Sequence, residues 1–263
     1  EIARIHNNMS VVLVQEGQLS QAAQASERAI RVVEDIGDRY LLALFEGNAG
    51  VIYYKLGDFT AALDAYNTSL EIAIAIDNQS IESSTRSNLG EIERRLGRLP
   101  DSIEQLTQSI ALCRQMDDDL GLSEAFRQLA ETYIALGRLG EAADTCEQAR
   151  VHALAAGDPQ AEAIAYRVRA MLAAAFGDET TALATSADSI RLLSDLGSAH
   201  ELGQSMVVHG TILLKLQRHN ESRNFIEEAI ELLQKAGAAA DQAQAEQLLA
   251  TVYSSVELEE IRS

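Results

Sequence analysis

A turn residue returns every 40 positions along this chain: Gly17, Gly57, Gly97, Gly137 and Gly177, with Gln217 in the sixth slot. Small residues keep step with it. Seven positions before each turn stand Ser10, Gly50, Gly90, Ala130, Ala170 and Gly210, and Ala250 continues the series. Five positions after it stand Ala22, Ala62, Ser102, Ala142, Ala182 and Ser222, and twelve after it Ala29, Ser69, Ser109, Ala149, Ser189 and Ala229. Small side chains in fixed register mean two helices that approach closely at the same points in every copy, which is the signature of a solenoid. Each unit of such an array packs on its neighbours, so 263 residues need no division into two cores.

The repeat reads as helix, tight turn, helix, looser turn. In the first copy Ile5, Met9, Val12 and Leu13 fall at helical spacing, and Gly17 ends the helix as a residue free to take positive φ. Ser20, Thr60, Pro100, Gly140, Thr180 and Asn220 suit the start of the second helices. The looser breaks fall at Gly37, Asp77, Asp117, Gly157, Gly197 and Gly237, the two acids reading as caps of the following helix. The expected units are about 1–37, 38–77, 78–117, 118–157, 158–197 and 198–237, with a closing helix at about 241–256, all in one domain. In the fourth unit Arg150 and His152 stand where other copies have Ile30, Leu70, Val32 and Ile72, so Val151 and Leu154 are expected to take over that packing.

Repeat two carries Ala49-Gly50, Tyr53, Gly57-Asp58-Phe59, Ala62, Tyr66 and Ser69, and repeat three Leu89-Gly90 and Gly97-Arg98-Leu99. On these residues the chain resembles the tetratricopeptide repeat (TPR) family over nearly its whole length. It departs from the family pattern in lacking Trp, in lacking a Pro that closes the second helix, and in its longer period of 40. HEAT and armadillo arrays share that period, but the tight turn after the first helix only, with the paired small residues, favours TPR. The long-period type is similar to the arrays of kinesin light chains and spindle-orientation scaffolds, and to the sensor arrays of bacterial signal-transducing NTPases, LuxR-type activators and class III cyclases; Ala-rich, Lys-poor helices place it nearer the bacterial group. The resemblance implies an all-α, right-handed superhelical solenoid of antiparallel helix pairs. It also implies that the first helices line the concave side, where such arrays bind peptides.

Positions 13, 10, 6, 3 and 2 before the turn then face inward, and among them are seven basic and three acidic residues within a chain of net charge −19. Arg94, Arg95, Arg127 and Arg167 would hold the acids of an acidic segment of a partner or of the parent protein, including domains outside this sequence, in a groove that Tyr54 and Lys55 also line. The alternative is that Glu91 and Glu131 pair with these arginines along their own helices. Asn8, Asn48 and Asn88, followed by Gln128, form a series nine before the turn whose amides suit a peptide backbone or, alternatively, a neighbouring helix. Ile164, Met171, Val207 and Leu214 make the later inner face apolar, an anchor patch or ordinary packing.

The remaining composition narrows the function classes. The acidic balance disfavours nucleic acid, and no apolar run reaches the length of a membrane span. Aromatics at 5% with no Trp disfavour an aromatic cofactor pocket, so no cofactor is expected. Cys113 and Cys146 suit a reducing cytoplasm and neither a disulfide framework nor a zinc site, and Asp117–Asp119 lacks the ligand spacing of a calcium loop. Five scattered histidines and the absence of nucleophile or phosphate-loop motifs leave an enzyme reading without support. The chain opens at Glu1 inside a helix and reads as a piece of a longer protein. A binding or sensor module is the expected function, with a small-molecule or signalling-peptide receptor and an end-to-end assembly module as alternatives.

Overall fold

Thirteen α-helices and no strands make up the described residues of the computed structural model, which are the backbone of 1–262 and all side chains there except those of residue 15 and residues 256–262. In chain order they are α1 (Ile2–Gln15), α2 (Leu19–Ile36), α3 (Arg39–Leu56), α4 (Phe59–Ala75), α5 (Gln79–Arg95), α6 (Leu99–Gln115) and α7 (Asp119–Ala135). There follow α8 (Leu139–Ala156), α9 (Pro159–Phe176), α10 (Glu179–Leu196), α11 (Ala199–Lys215), α12 (His219–Lys235) and α13 (Ala239–Arg262). The chain is an all-α solenoid in which α1/α2 through α11/α12 pack as antiparallel pairs, each second helix leaning on the next first helix.

The recurring small residues are where the pairs touch. A Cβ on Gly50 would stand 2.5 Å from the Tyr66 ring, one on Gly90 2.6 Å from Leu106, and one on Gly210 2.7 Å from Ile226. Where the facing residue is smaller (Ser26, Cys146, Ser186), position seven before the turn carries Ser10, Ala130 or Ala170 instead. The pair conserves volume, as a packed interior requires. Twelve after the turn, Ser69, Ser109 and Ser189 donate their hydroxyls to the carbonyls of Ala43, Ser83 and Ala163, each at 2.8 Å. In the fourth pair the roles reverse, Ser123 donating to the carbonyl of Ala149 at 3.0 Å.

The turns depart from the capping pattern in two ways. The second helices start earlier than Ser20, Thr60, Pro100, Gly140, Thr180 and Asn220 suggest, with N-caps at Gln18, Asp58, Arg98, Arg138, Asp178 and Arg218. Asp58 and Asp178 accept the amides of Ala61 and Thr181, while Arg138 and Arg218 instead reach forward to Glu141 and Glu221. Asp77 and Asp117 do not cap. They take the positive φ that glycine takes at the other breaks (φ 55° and 52°), and the caps are the next residues, Asn78 and Asp118. The packing around His152 also differs. Val151 and Leu154 stay exposed, and the imidazole lies flat on Phe126 with ring centroids 5.8 Å apart while bonding Asp119 at 2.7 Å. Its ring covers apolar surface and its nitrogen finds a partner, so no register change is needed.

The first helices α3, α5, α7, α9 and α11 stand side by side, and α13 joins both α11 and α3. Six inner helices therefore form a closed ring, with α1 and α2 beyond it. Closure brings the α1–α2 turn onto the α12–α13 turn: a Cβ on Gly237 (φ +66°) would meet the Cα of Gly17 at 2.8 Å. Apolar residues hold α13 on its C-terminal side, Ala238, Ala245 and Val252 packing with Ile226 and Leu233. The last helix continues to Arg262, and no helix among the described residues is long and apolar enough to cross a membrane.

Candidate functional site: the ring cavity

Inside the ring lies a cavity of about 950 Å3, lined chiefly by residues from the six inner helices. Its wall holds five cations, Lys55, Arg94, Arg95, Arg127 and Arg167, and five carboxylates, Glu91, Glu124, Glu131, Glu201 and Asp241. The cavity is thus electrically balanced, where the inward positions alone suggest a basic groove. Two of the seven basic residues, Arg4 and Lys215, lie outside it, and two acids enter from positions outside the inward stripe.

The arginines are joined in one network. Arg94 bridges Glu91 (2.8 Å) and Glu131 (2.9 Å), and Arg127 bridges Glu131 (2.6 Å) and Glu124 (2.9 Å). Arg167, itself buried, meets Glu201 at 2.8 Å. Arg95 holds Glu91 at 3.0 Å, bonds Asp241 and lies over the Tyr54 ring at 5.2 Å, while the Tyr54 hydroxyl donates to Glu91 at 2.9 Å. Burial works against the Glu91 carboxylate, but Arg94, Arg95 and Arg127 outweigh it and hold the group far below the usual carboxylate range. The same contest ends the same way at Glu201, where Arg167 is the largest opposing influence, and at Asp241, where the bond from His200 and the charge of Arg95 prevail. The contacts both along and between helices favour the pairing alternative for these side chains.

His200 is the hub of the C-terminal side. It bonds Asp241 at 2.7 Å and approaches Glu201 at 3.3 Å, and Gln204 adds a bond to Asp241 at 3.0 Å. Burial opposes the imidazolium and Lys55 repels it, yet the two carboxylates raise its pKa above 6.5. Some polar groups of the wall are left without such partners, Lys55 and Asn88 among them. Lys55 makes no salt bridge and Asn88 no side-chain hydrogen bond among the described residues. Apolar residues of the wall are Ile164, Met171, Val207 and Val208, on α9 and α11 beside Arg167, Glu201 and Gln204.

The expected site residues therefore divide. Tyr54, Lys55, Asn88, Arg94, Arg95, Arg127, Gln128, Arg167, Ile164, Met171 and Val207 share the cavity. Asn8 is exposed outside it, and Asn48 donates to the buried Asn7 at 3.0 Å, so its amide joins two helices. Gln128 is buried, donating to Glu124 and accepting from Ser87. Leu214 is covered by α13 and packs with the Ile226–Leu233 cluster. The inward stripe does not contain His200, Glu201 or Asp241. A signal for the last two exists sixteen before the turn position, where, after Glu1 in the first copy, Leu41, Ile81, Gly121 and Ala161 give way to Glu201 and Asp241. Among the described residues no cluster of His, Cys, Asp and Glu is arranged to hold a metal.

Comparison with known proteins agrees with this architecture. The profile described as tetratricopeptide repeat matches residues 1–75 and 81–150, and a second of the same description matches 203–232. No curated protein sequence matches. Among solved structures, aspartyl phosphate phosphatase F from Bacillus subtilis superposes with a TM-score of 0.75 at 13% identity, over 88% of this chain and 60% of that one. A Rap protein complexed with competence and sporulation factor gives 0.69 at 15% identity, over 98% and 73%. A signal transduction ATPase with numerous domains (STAND) protein with a tetratricopeptide repeat sensor, from Pyrococcus horikoshii, gives 0.61 at 12% identity, over 95% and 38%. The chain thus spans less than two thirds of the phosphatase and of the ATPase.

Proposed function

From the premise that this chain belongs to the tetratricopeptide repeat family, whose profile covers more than half of it, we propose that it is a non-catalytic binding module taking a peptide segment into its ring. The segment comes from a partner or from the parent protein, in the cytoplasm. The observation that carries this reading is the pairing, within one cavity, of unpartnered polar groups with apolar side chains. Lys55 offers a charge for one acidic side chain, Asn88 an amide for main chain, and Ile164, Met171 and Val207 a surface for an apolar residue. A balanced wall favours a segment with one or two carboxylates over a strongly acidic one, because each further anion meets Glu91, Glu124 or Glu131. The neighbour complexed with competence and sporulation factor and the neighbour with a TPR sensor support a receiving role. Ordering a segment costs about 2 to 5 kcal/mol, so the affinity expected is micromolar.

A cavity of about 950 Å3, within the size range of small-molecule sites, favours a second reading, a receptor for one compact signalling ligand whose arrival changes the ring. One experiment serves both. The chain is used to retain ligands from a lysate beside Lys55→Glu, Asn88→Ala and, as a control outside the cavity, Lys215→Glu. Retained segments are identified, synthesised and titrated. Loss of about ten-fold in affinity for the two cavity variants, with the control unchanged, is expected; equal retention by all four chains rejects the cavity as the site.

A further inference from the structure

Asp241 is the carboxylate of the cavity that comes from farthest along the chain. It reaches Arg95 from 146 positions away and also meets His200 and Gln204, at 2.7 and 3.0 Å, and it is 8% exposed. The other inner carboxylates belong to helices held in the ring on both sides by unbroken solenoid packing. α13 is different. Its apolar side is fixed to the Ile226–Leu233 cluster, whereas toward the first half of the chain it offers Ala240, 3.9 Å from a Cβ built on Gly57, the ionic contact of Asp241 with Arg95 and a long bond from Arg95 to Gln244 at 3.4 Å, with the Gly17–Gly237 turn contact just before it. Gly237 lies at the junction between α12 and α13.

We propose that Asp241 is a latch: it fills a carboxylate seat made by Arg95, His200 and Gln204, and an acidic side chain of the segment bound in the cavity takes that seat and frees α13 from α3 and α5. The proposal rests on the cavity being the binding site. The exchange is nearly neutral in itself, because one carboxylate replaces another on the same donors, so desolvation and pairing cancel and the ligand's remaining contacts decide it. Arg95 keeps Glu91 throughout, at 3.0 Å, so no guanidinium is stranded while the seat is empty. The released Asp241 moves toward solvent, where a carboxylate is well hydrated. Binding and ring opening are then two faces of one equilibrium, since a ligand shifts a structure only by its differential affinity for the two states.

The test uses the whole chain with Asp241→Ala, read by amide hydrogen exchange and by segment capture. In the variant, exchange over 239–255 rises about ten-fold while α6 to α10 are unchanged. Acetate at about 0.1 M restores the protection by refilling the seat, and chloride at the same ionic strength does not. Capture of the segment by the variant rises about five-fold, since its internal competitor is gone, and acetate reverses the gain. Unchanged exchange, or equal effects of acetate and chloride, overturns the latch even if no segment has been captured. If capture is abolished by Lys55→Glu yet unaffected by Asp241→Ala, the cavity reading stands and the latch falls. If the acetate effect appears but no cavity variant alters capture, the seat exists and its coupling to a bound segment is rejected.

Discussion

The seam inside each helix pair and the wall of the ring are built from the same helices by opposite rules. The seam is dry and periodic, a small residue seven before the turn facing Tyr66, Leu106 or Ile226, with serine hydroxyls on carbonyls at 2.8 Å in three of the pairs. The wall is ionic and aperiodic, its ten charges differing in type and partner from one helix to the next. A seam must solve one packing problem identically in each repeat, whereas a site must differ from its surroundings to recognise anything. Stability and recognition are therefore separated by helix face.

The sharpest way to break this contrast is to unbalance the wall. Replacing Arg127 by Ala leaves Glu131 with Arg94 alone and the half-exposed Glu124 with Gln128 alone, and a loss of about 1 to 3 kcal/mol is expected from denaturant unfolding. A neutral result would mean that the wall is wet enough to forgive an unpaired charge. The seam should respond to volume alone. Gly50→Ala drives a methyl into the Tyr66 ring at a cost of about 1 to 3 kcal/mol. Adding Tyr66→Ser recreates the Ala170/Ser186 pairing of the fifth repeat and should remove the clash, so a double mutant showing no coupling with the single changes would refute the volume rule. At the closure, Gly237→Ala forces both a positive φ and a contact with Gly17, for about 1 to 3 kcal/mol in thermal unfolding.

The smallest expected effect is a pH dependence at the closing helix. The groups facing His200 are Asp241 from α13, Glu201 and Gln204 from α11, and Lys55 from α3. Because the folded pKa is raised above 6.5, its contribution is complete below that value and fades as pH climbs through the raised pKa. Exchange of α13 amides should quicken over that interval in the native chain and stay flat in His200→Gln; equal pH profiles would show that the imidazole charge does not hold the ring.

The contrast also explains what could be read from the residues alone. The seam repeats, so Gly50, Gly90 and Gly210 announce it, and with it the helix pairs and the inward face carrying Lys55, Asn88, Arg94, Arg127 and Met171. The turn chemistry was less transparent, because Asp77 and Asp117 can cap a helix or adopt positive φ, and only the backbone decides. Hidden altogether was the closure. Nothing local relates Arg95 to Asp241, and the same lack of local signal left Leu214 looking like cavity wall when α13 covers it. Glu201 and Asp241 stand at equivalent positions where Leu41, Ile81, Gly121 and Ala161 have no charge, a break in the period that only Glu1 of the first copy, outside the cavity, shares.

Ring closure also sets an order of assembly. Gly50 and Tyr66 are separated by 16 positions, Arg95 and Asp241 by 146, and closing the longer loop costs about 2 kcal/mol more in chain entropy. Low-contact-order pairs such as α3/α4 can therefore form early and independently, in the N-to-C direction in which a chain leaves the ribosome. The cavity cannot. Its wall is incomplete until α13 arrives, so the binding surface is the last part of the molecule to come into being, and a nascent chain with most of its repeats already folded still has nowhere to put a ligand.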